Sequence, residues 1–502
     1  MNNFKQRLAA LMHSRNFFSA VLVVAIVAAV VFLNIIVYTL DEHFGLYIHS
    51  EQKDDLSISG ATDTLFADAI AEGKQVTVTF CMYEDALKVH PTGSYVYGTA
   101  KEFESRYGDF IEIRYANALT QLYENGDFFD VSAYSKDMRG NDTVINSTSV
   151  IFRCGDEYRV LTDAYTGSGF VDFYTLDEEM YITAYNGEEI FAAMVSWVLA
   201  EEHGTAYFTT GHSETPNLSL YNVLACAGYY VDTINLRRED IPDDAALIVV
   251  ANPLSDFERA AEGSSLRTEI ERLTSYAERG GAMLVTLDPL AKRLTVFEQF
   301  LSDFGIAVKR SENGESAIVK DPSNGITADG FTLVGSYADS PTAEDMYERT
   351  KDLGGSIIVR TVAALELSGG ASPLLLSSSA SSVHAGGETV ESAGNYVIAA
   401  CSVKEYEDGA YARLVVVPSV YLTATDAIVT NAYSNKDFLY SLFDVFYGHG
   451  EMPYGCHSVV YDNDILENLT MGEARLYTAL LIALPVMLAG VGVFVTVRRK
   501  NR

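Results

Sequence analysis

The chain has 502 residues, 48% of them hydrophobic and 11% aromatic, and 35 Lys and Arg face 68 Asp and Glu for a formal charge of −33. That length exceeds one ordinary core and points to two or three domains, while the apolar content excludes a mainly disordered chain. Seven of the cations sit at the two ends (Lys5, Arg7, Arg15, Arg498, Arg499, Lys500 and Arg502), so the body between them is more acidic still and repels nucleic acid.

After a basic N-terminal segment (1–16), residues 17–38 form a run without a charge, long enough to cross a bilayer core of about 30 Å. A cleaved signal peptide is the alternative, but the run is too long and no small-x-small site follows it. An uncleaved signal anchor is the better reading. Residues 476–497 form a second uncharged run, and a basic tail (498–502) follows. Cations flank the outer end of each run, which places both termini in the cytoplasm and the intervening body outside.

The body begins with a helix near Thr62–Ala71. Val76, Val78 and Phe80 then alternate with Thr77 and Thr79, the spacing of a strand. A helix over Tyr97–Tyr107, a strand at Phe110–Tyr115, a polar loop over Asn125–Asn146 and a hairpin around Gly155-Asp156 complete a small α/β domain, 56–175. A central domain, 182–310, opens with Asn186 and Glu189 spaced as a capping box. Ile190, Phe191, Met194, Val195, Val198 and Leu199 follow at helical spacing, with the sole tryptophan, Trp197, beside that stripe. Strands at Thr205–Thr210, Tyr230–Leu236, Leu247–Ala251 and Ala282–Leu287 alternate with helices. One of these helices has Ser265 as its expected cap, and another carries Phe297, Phe300 and Leu301. This alternation predicts a doubly wound, mostly parallel sheet of the flavodoxin or glutamine-amidotransferase type. Residues 311–394 are rich in Ser, Gly and Ala and read as loops and edge strands. Strands at Tyr396–Val403 and Arg413–Val417 and a helix over Phe438–Phe446 close the fold within 395–450.

The candidate site lies at the strand ends, where open α/β sheets bind their ligands. Gly211, His212 and Glu214 follow the first strand of the central domain. Asn252, Asp288 and Ser419 follow three others and complete a polar crevice. One His and one Glu supply at most two of the roughly three protein ligands a metal needs, so a loop shaped by Gly211 and held by His212 hydrogen bonds is the favoured reading. No metal or other cofactor is expected. The chain has no G-x-S-x-G elbow, no G-x-x-x-x-G-K-[ST] loop and no G-x-G-x-x-G turn, which argues against hydrolase, ATP-binding and dinucleotide chemistry. The five cysteines (Cys81, Cys154, Cys226, Cys401, Cys456) are scattered and odd in number, so buried thiols are expected, with one unassigned disulfide left open.

Several stretches together resemble the GldG-like, gliding-motility-associated auxiliary subunits of ABC transporters. They are Leu56-Ser57 with Thr62, Val76–Phe80, Tyr207–Glu214, Ile241–Asp244, Leu247–Pro253, Tyr276–Gly281, Leu284–Pro289, Arg413–Ser419 and Asn435–Leu439. The resemblance implies a non-enzymatic, extracytoplasmic subunit on the bacterial cytoplasmic membrane, working with a polytopic permease and a separate ATPase. A membrane-tethered enzyme of amidotransferase-like fold, acting on cell-wall or glycan material through His212 and Glu214, is the alternative. An inert scaffold is a third.

Overall fold

The computed structural model describes residues 56–461, apart from 163–168, 177–180, 215–216, 259–266, 324, 328, 408, 431, 448–451 and 457. The two uncharged runs at 17–38 and 476–497 lie outside the described residues, as does Ser265. Among the described residues no helix is long and apolar enough to cross a membrane.

The N-terminal part comprises α1 (Gly60–Ala71), β1 (Val76–Phe80), α2 (Gly93–Tyr107), β2 (Ile111–Asn117), β3 (Leu122–Tyr123), β4 (Val150–Cys154) and β5 (Glu157–Leu161). Its sheet runs β3-β2-β1-β4-β5, with β1 parallel to β2 and antiparallel to β4. Next comes α3 (Gly187–Leu199), then β6 (Thr205–Thr209), α4 (Leu218–Cys226), β7 (Tyr230–Ile234), β8 (Ala245–Ala251), α5 (Glu269–Glu278), β9 (Ala282–Thr286) and α6 (Thr295–Ser302). The C-terminal part adds β10 (Thr332–Tyr337), α7 (Pro341–Thr350), β11 (Ile357–Arg360), β12 (Ala371–Leu376), β13 (Val397–Glu405), β14 (Tyr411–Val417) and α8 (Asn435–Val445).

These strands build one mixed sheet in the order β11-β10-β12-β13-β14-β9-β8-β6-β7. From β7 to β14 every neighbouring pair is parallel. From β14 to β11 every pair is antiparallel. Residues 311–394 are therefore not an irregular elaboration. They carry α7 and four strands of the main sheet, β10, β11, β12 and the short Leu365–Leu367 that pairs beside β13, and the hairpin β13–β14 joins the two halves.

Side chains alternate across the parallel half. Phe208, Leu247, Val249, Leu284 and Val415 pack on one face with α4 and α8. Ile248, Val250, Met283, Val285 and Val416 pack on the other with α5 and α6. Helices thus cover both faces, which is why these strands read as nearly continuous apolar runs.

Helix α3 is buried on nearly every side, with Ile190, Phe191, Met194, Val195, Trp197 and Val198 all inside. Phe191 meets Phe103 of α2 at 4.3 Å and Phe152 of β4 at 5.1 Å between ring centroids. The expected domains 56–175 and 182–310 consequently share one core.

The expected capping box does not form. Asn186 instead donates to Thr175 Oγ1, and Glu189 turns inward to Lys436 Nζ at 2.8 Å and to the Tyr440 hydroxyl. The capping box of this region belongs to α5, where Thr268 and Glu271 exchange bonds. All five cysteines are free, and only Cys154 is not fully buried.

Candidate functional site

At the end of β6 the chain turns at Gly211, whose φ of +113° a side chain would strain, and Ser213 follows with φ 60°. This tight turn folds His212 inward. The imidazole is fully buried and stacks on Phe257, with centroids 4.0 Å apart and planes within 8°. Its carbonyl accepts from Leu254 N and Ser255 N at 2.9 and 3.1 Å, which ties the β6 loop to the loop after β8.

Two carboxylates flank the ring. Nδ1 lies 3.4 Å from Glu214 Oε1, and Nε2 lies 3.0 Å from Glu269 Oε1. The second contact is short but off the N–H axis, so it acts as an ion pair rather than a linear hydrogen bond. Glu214 also accepts from His212 N at 2.7 Å and from Thr209 Oγ1 at 3.2 Å. Glu269 accepts from Glu258 N at 2.9 Å and faces Arg237 Nε at 3.2 Å.

Burial pushes the His212 pKa down, but the Glu214 hydrogen bond and the charges of Glu214 and Glu269 outweigh it and lift it to about 9. Burial likewise pushes Glu269 up, and His212, the Glu258 amide and Arg237 bring it below its ordinary value. Glu214 is lowered too, with burial opposed by His212. At neutral pH the group is an imidazolium between two carboxylates. Such a histidine has neither a free lone pair for a metal nor a basic nitrogen for proton abstraction.

The other strand-end residues do not converge on it through their side chains. Asn252 adopts φ 51°, and its backbone N–H donates to Thr286 O at 3.0 Å, while its buried Oδ1 has no hydrogen-bond partner among the described residues. Asp288 Oδ1 accepts from Leu290 N at 2.9 Å within its own turn. Ser419 is fully buried, donates to Arg360 O at 2.8 Å and accepts from Tyr421 N at 3.2 Å. Asn252, Asp288 and Ser419 follow adjacent strands β8, β9 and β14, but Asp288 spends its side chain on a local turn and Ser419 ties its own turn to the end of β11. Among the described residues no group of three or more His, Cys, Asp or Glu is arranged to hold a metal.

No protein-family model matches the chain, and no curated protein sequence matches it. Solved structures resemble part of it. The mmIFT52 N-terminal domain is 16% identical, with a TM-score of 0.36 over 50% of this chain and 99% of that one. A putative ThuA-like protein from Bacteroides uniformis is 12% identical, with a TM-score of 0.31 over 49% and 93%. A glutamine amidotransferase from Thermotoga maritima is 10% identical, with a TM-score of 0.28 over 49% and 99%.

Sequence reasoning missed Glu269, Arg237 and Phe257. Glu269 opens α5 immediately after its Thr268 cap, and a cap expected at Ser265 shifted that helix and hid the first-turn carboxylate. Nothing in the local pattern of Arg237 or Phe257 ties either residue to His212.

Proposed function

We propose that this chain is a non-enzymatic, membrane-anchored accessory subunit of an ABC-type transport complex, with its α/β body outside the cytoplasm. The uncharged runs at 17–38 and 476–497 serve as anchors, and a polytopic permease with a separate ATPase supplies the pore and the energy. One observation carries the non-catalytic reading. His212, at the sheet position where α/β enzymes place reactive groups, is fully buried and held charged between Glu214 and Glu269.

Two of the stretches that carry the GldG-like resemblance meet as a structural joint, which also supports it. Arg279 Nη2 donates to Ile241 O at 2.7 Å and Pro242 O at 3.1 Å, and Tyr276 donates to Ala245 O at 3.1 Å. Asn435 brackets β11, accepting from Ile358 N and donating to Ile358 O, both at 2.8 Å. The enzyme alternative needs a nucleophile or a metal beside His212, and its described neighbours are carboxylates, Arg237 and Phe257.

Topology gives the first test. In intact cells, single cysteines near residues 5 and 500 should resist a membrane-impermeant thiol reagent, in a background lacking the five native cysteines. A cysteine at Leu119, which is 87% exposed, should label. Labelling of either terminus from outside contradicts the two-span anchor.

A further inference from the structure

A second location, away from the strand ends, carries groups that nothing in the fold uses. A cavity of about 440 Å³ lies at the seam between β5, an edge strand of the small sheet, and β7, an edge strand of the large one, with Trp197 of α3 in its wall. That volume falls within the roughly 300–1,000 Å³ of small-molecule sites. Arg159 Cζ sits 4.9 Å from the Trp197 ring centroid and 5.5 Å from that of Tyr230. Arg139 Cζ covers the same tyrosine at 4.1 Å.

The polar atoms of this wall are the anomaly. Trp197 is 2% exposed and Tyr230 8% exposed. Trp197 Nε1, the Tyr230 hydroxyl and Arg159 Nη1 are all buried, and among the described residues none has a hydrogen-bond partner. Native interiors satisfy nearly all such groups, and here three lie around one cavity. Two of them, the indole and guanidinium N–H groups, are donors only, and the guanidinium holds its proton.

Of the acids nearby, Asp137 faces Arg139 Nε at 3.6 Å rather than Arg159. Asp137 accepts from Arg139 N at 2.9 Å and from Asn141 N at 2.8 Å, and Asp142 pairs with Lys136 at 2.6 Å. Asp172 attracts Arg159 electrostatically. Arg159 therefore has an aromatic face on two sides, one attracting carboxylate in Asp172 and, among the described residues, no acceptor for its buried Nη1, a donor that an oxyanion would satisfy.

We infer that this cavity binds a small molecule bearing an oxyanion group, carboxylate or phosphate, with Arg159, Trp197 and Tyr230 donating to it and Arg139 closing over it. The aromatic faces favour a ligand whose remainder is flat or apolar. This site stands independently of the transport reading.

Trp197 is the only tryptophan in the chain, so its fluorescence reports its own surroundings, which are this cavity and a second one lined also by His203 and Cys226. Variants at Arg159 and Tyr230, which line only the first, assign the response. The full-length protein is titrated separately with inorganic phosphate, citrate and benzoate, with chloride at matched ionic strength and glycerol as controls. A saturable change with phosphate or with a carboxylate, and none with either control, is expected, and the comparison of arms identifies the oxyanion. Arg159→Gln should weaken the responding ligand by on the order of tenfold or more. Tyr230→Phe removes only the hydroxyl and should weaken it by a smaller factor, which keeps the test decisive if Arg159→Gln misfolds. Responses that follow ionic strength alone, an absence of saturation with all three oxyanions, or unchanged affinity in folded variants would each overturn the site.

Discussion

His212 shows how a residue legible in sequence acquires a different meaning in the fold. Its place after β6 and beside Gly211 is readable, but its burial and its pairing with Glu269 depend on a helix far along the chain. Replacing it by Ala leaves Glu214 and Glu269 buried without their shared cation. Removing one partner of a buried ion pair costs about 3 to 5 kcal/mol, and the low end is expected because Arg237 stays beside Glu269. The pH dependence follows from the shifts. The histidine pKa is raised from 6.5 to about 9, so its stabilisation is complete below about 6.5 and lost as pH rises through 9. The carboxylates are lowered from 4.5, so theirs is complete above about 4.5 and lost as acid titrates them. Urea midpoints of wild type and His212→Ala should therefore differ most between about pH 4.5 and 6.5 and converge above pH 9. A constant gap across that range contradicts the charged triad. Thr268→Ala, which removes the cap presenting Glu269, should cost about 1 kcal/mol in the same assay.

At the scale of elements, α3 and α8 are joined through a buried pair. Glu189 and Lys436 are 5% and 7% exposed, and Lys436 Nζ also donates to Cys456 O at 3.0 Å. Lys436→Met strands the Glu189 carboxylate and should destabilise by about 3 to 5 kcal/mol, whereas Glu189→Gln with Lys436→Met should recover most of that loss. Denaturant unfolding of the single and double variants checks it, and additive losses would contradict the pairing. The apolar periodicity of α3 was legible, because helical spacing survives in sequence. Glu189's partner was not, since three residues after Asn186 is also where a capping box places a carboxylate. The strands of residues 311–394 were obscured for another reason. β12 contains Pro373, which ordinarily argues against an interior strand, and the structure accommodates it at a register shift. A short strand interrupted by proline, such as β12, gains its stability from neighbours on both sides rather than from its own composition.

At the scale of the whole molecule, the alternation of helix and strand revealed the parallel half of the sheet, because strands covered on both faces must be apolar throughout. The antiparallel half has no such signature. The net charge of −33 and the uncharged runs at each end speak to location and partners rather than to fold. If those runs pack against a permease, small residues should line the contact, and Gly490 and Gly492 lie within the second run. Replacing both with Leu should reduce partner recovery while the urea midpoint of the body stays within about 0.5 kcal/mol of wild type. The most direct measurement is purification of the full-length protein from native membranes in several mild detergents, with identification of every co-purifying chain. A polytopic permease and an ATPase recovered with it are the predicted result. Repeated recovery of the intact protein without a permease in any detergent would contradict the account.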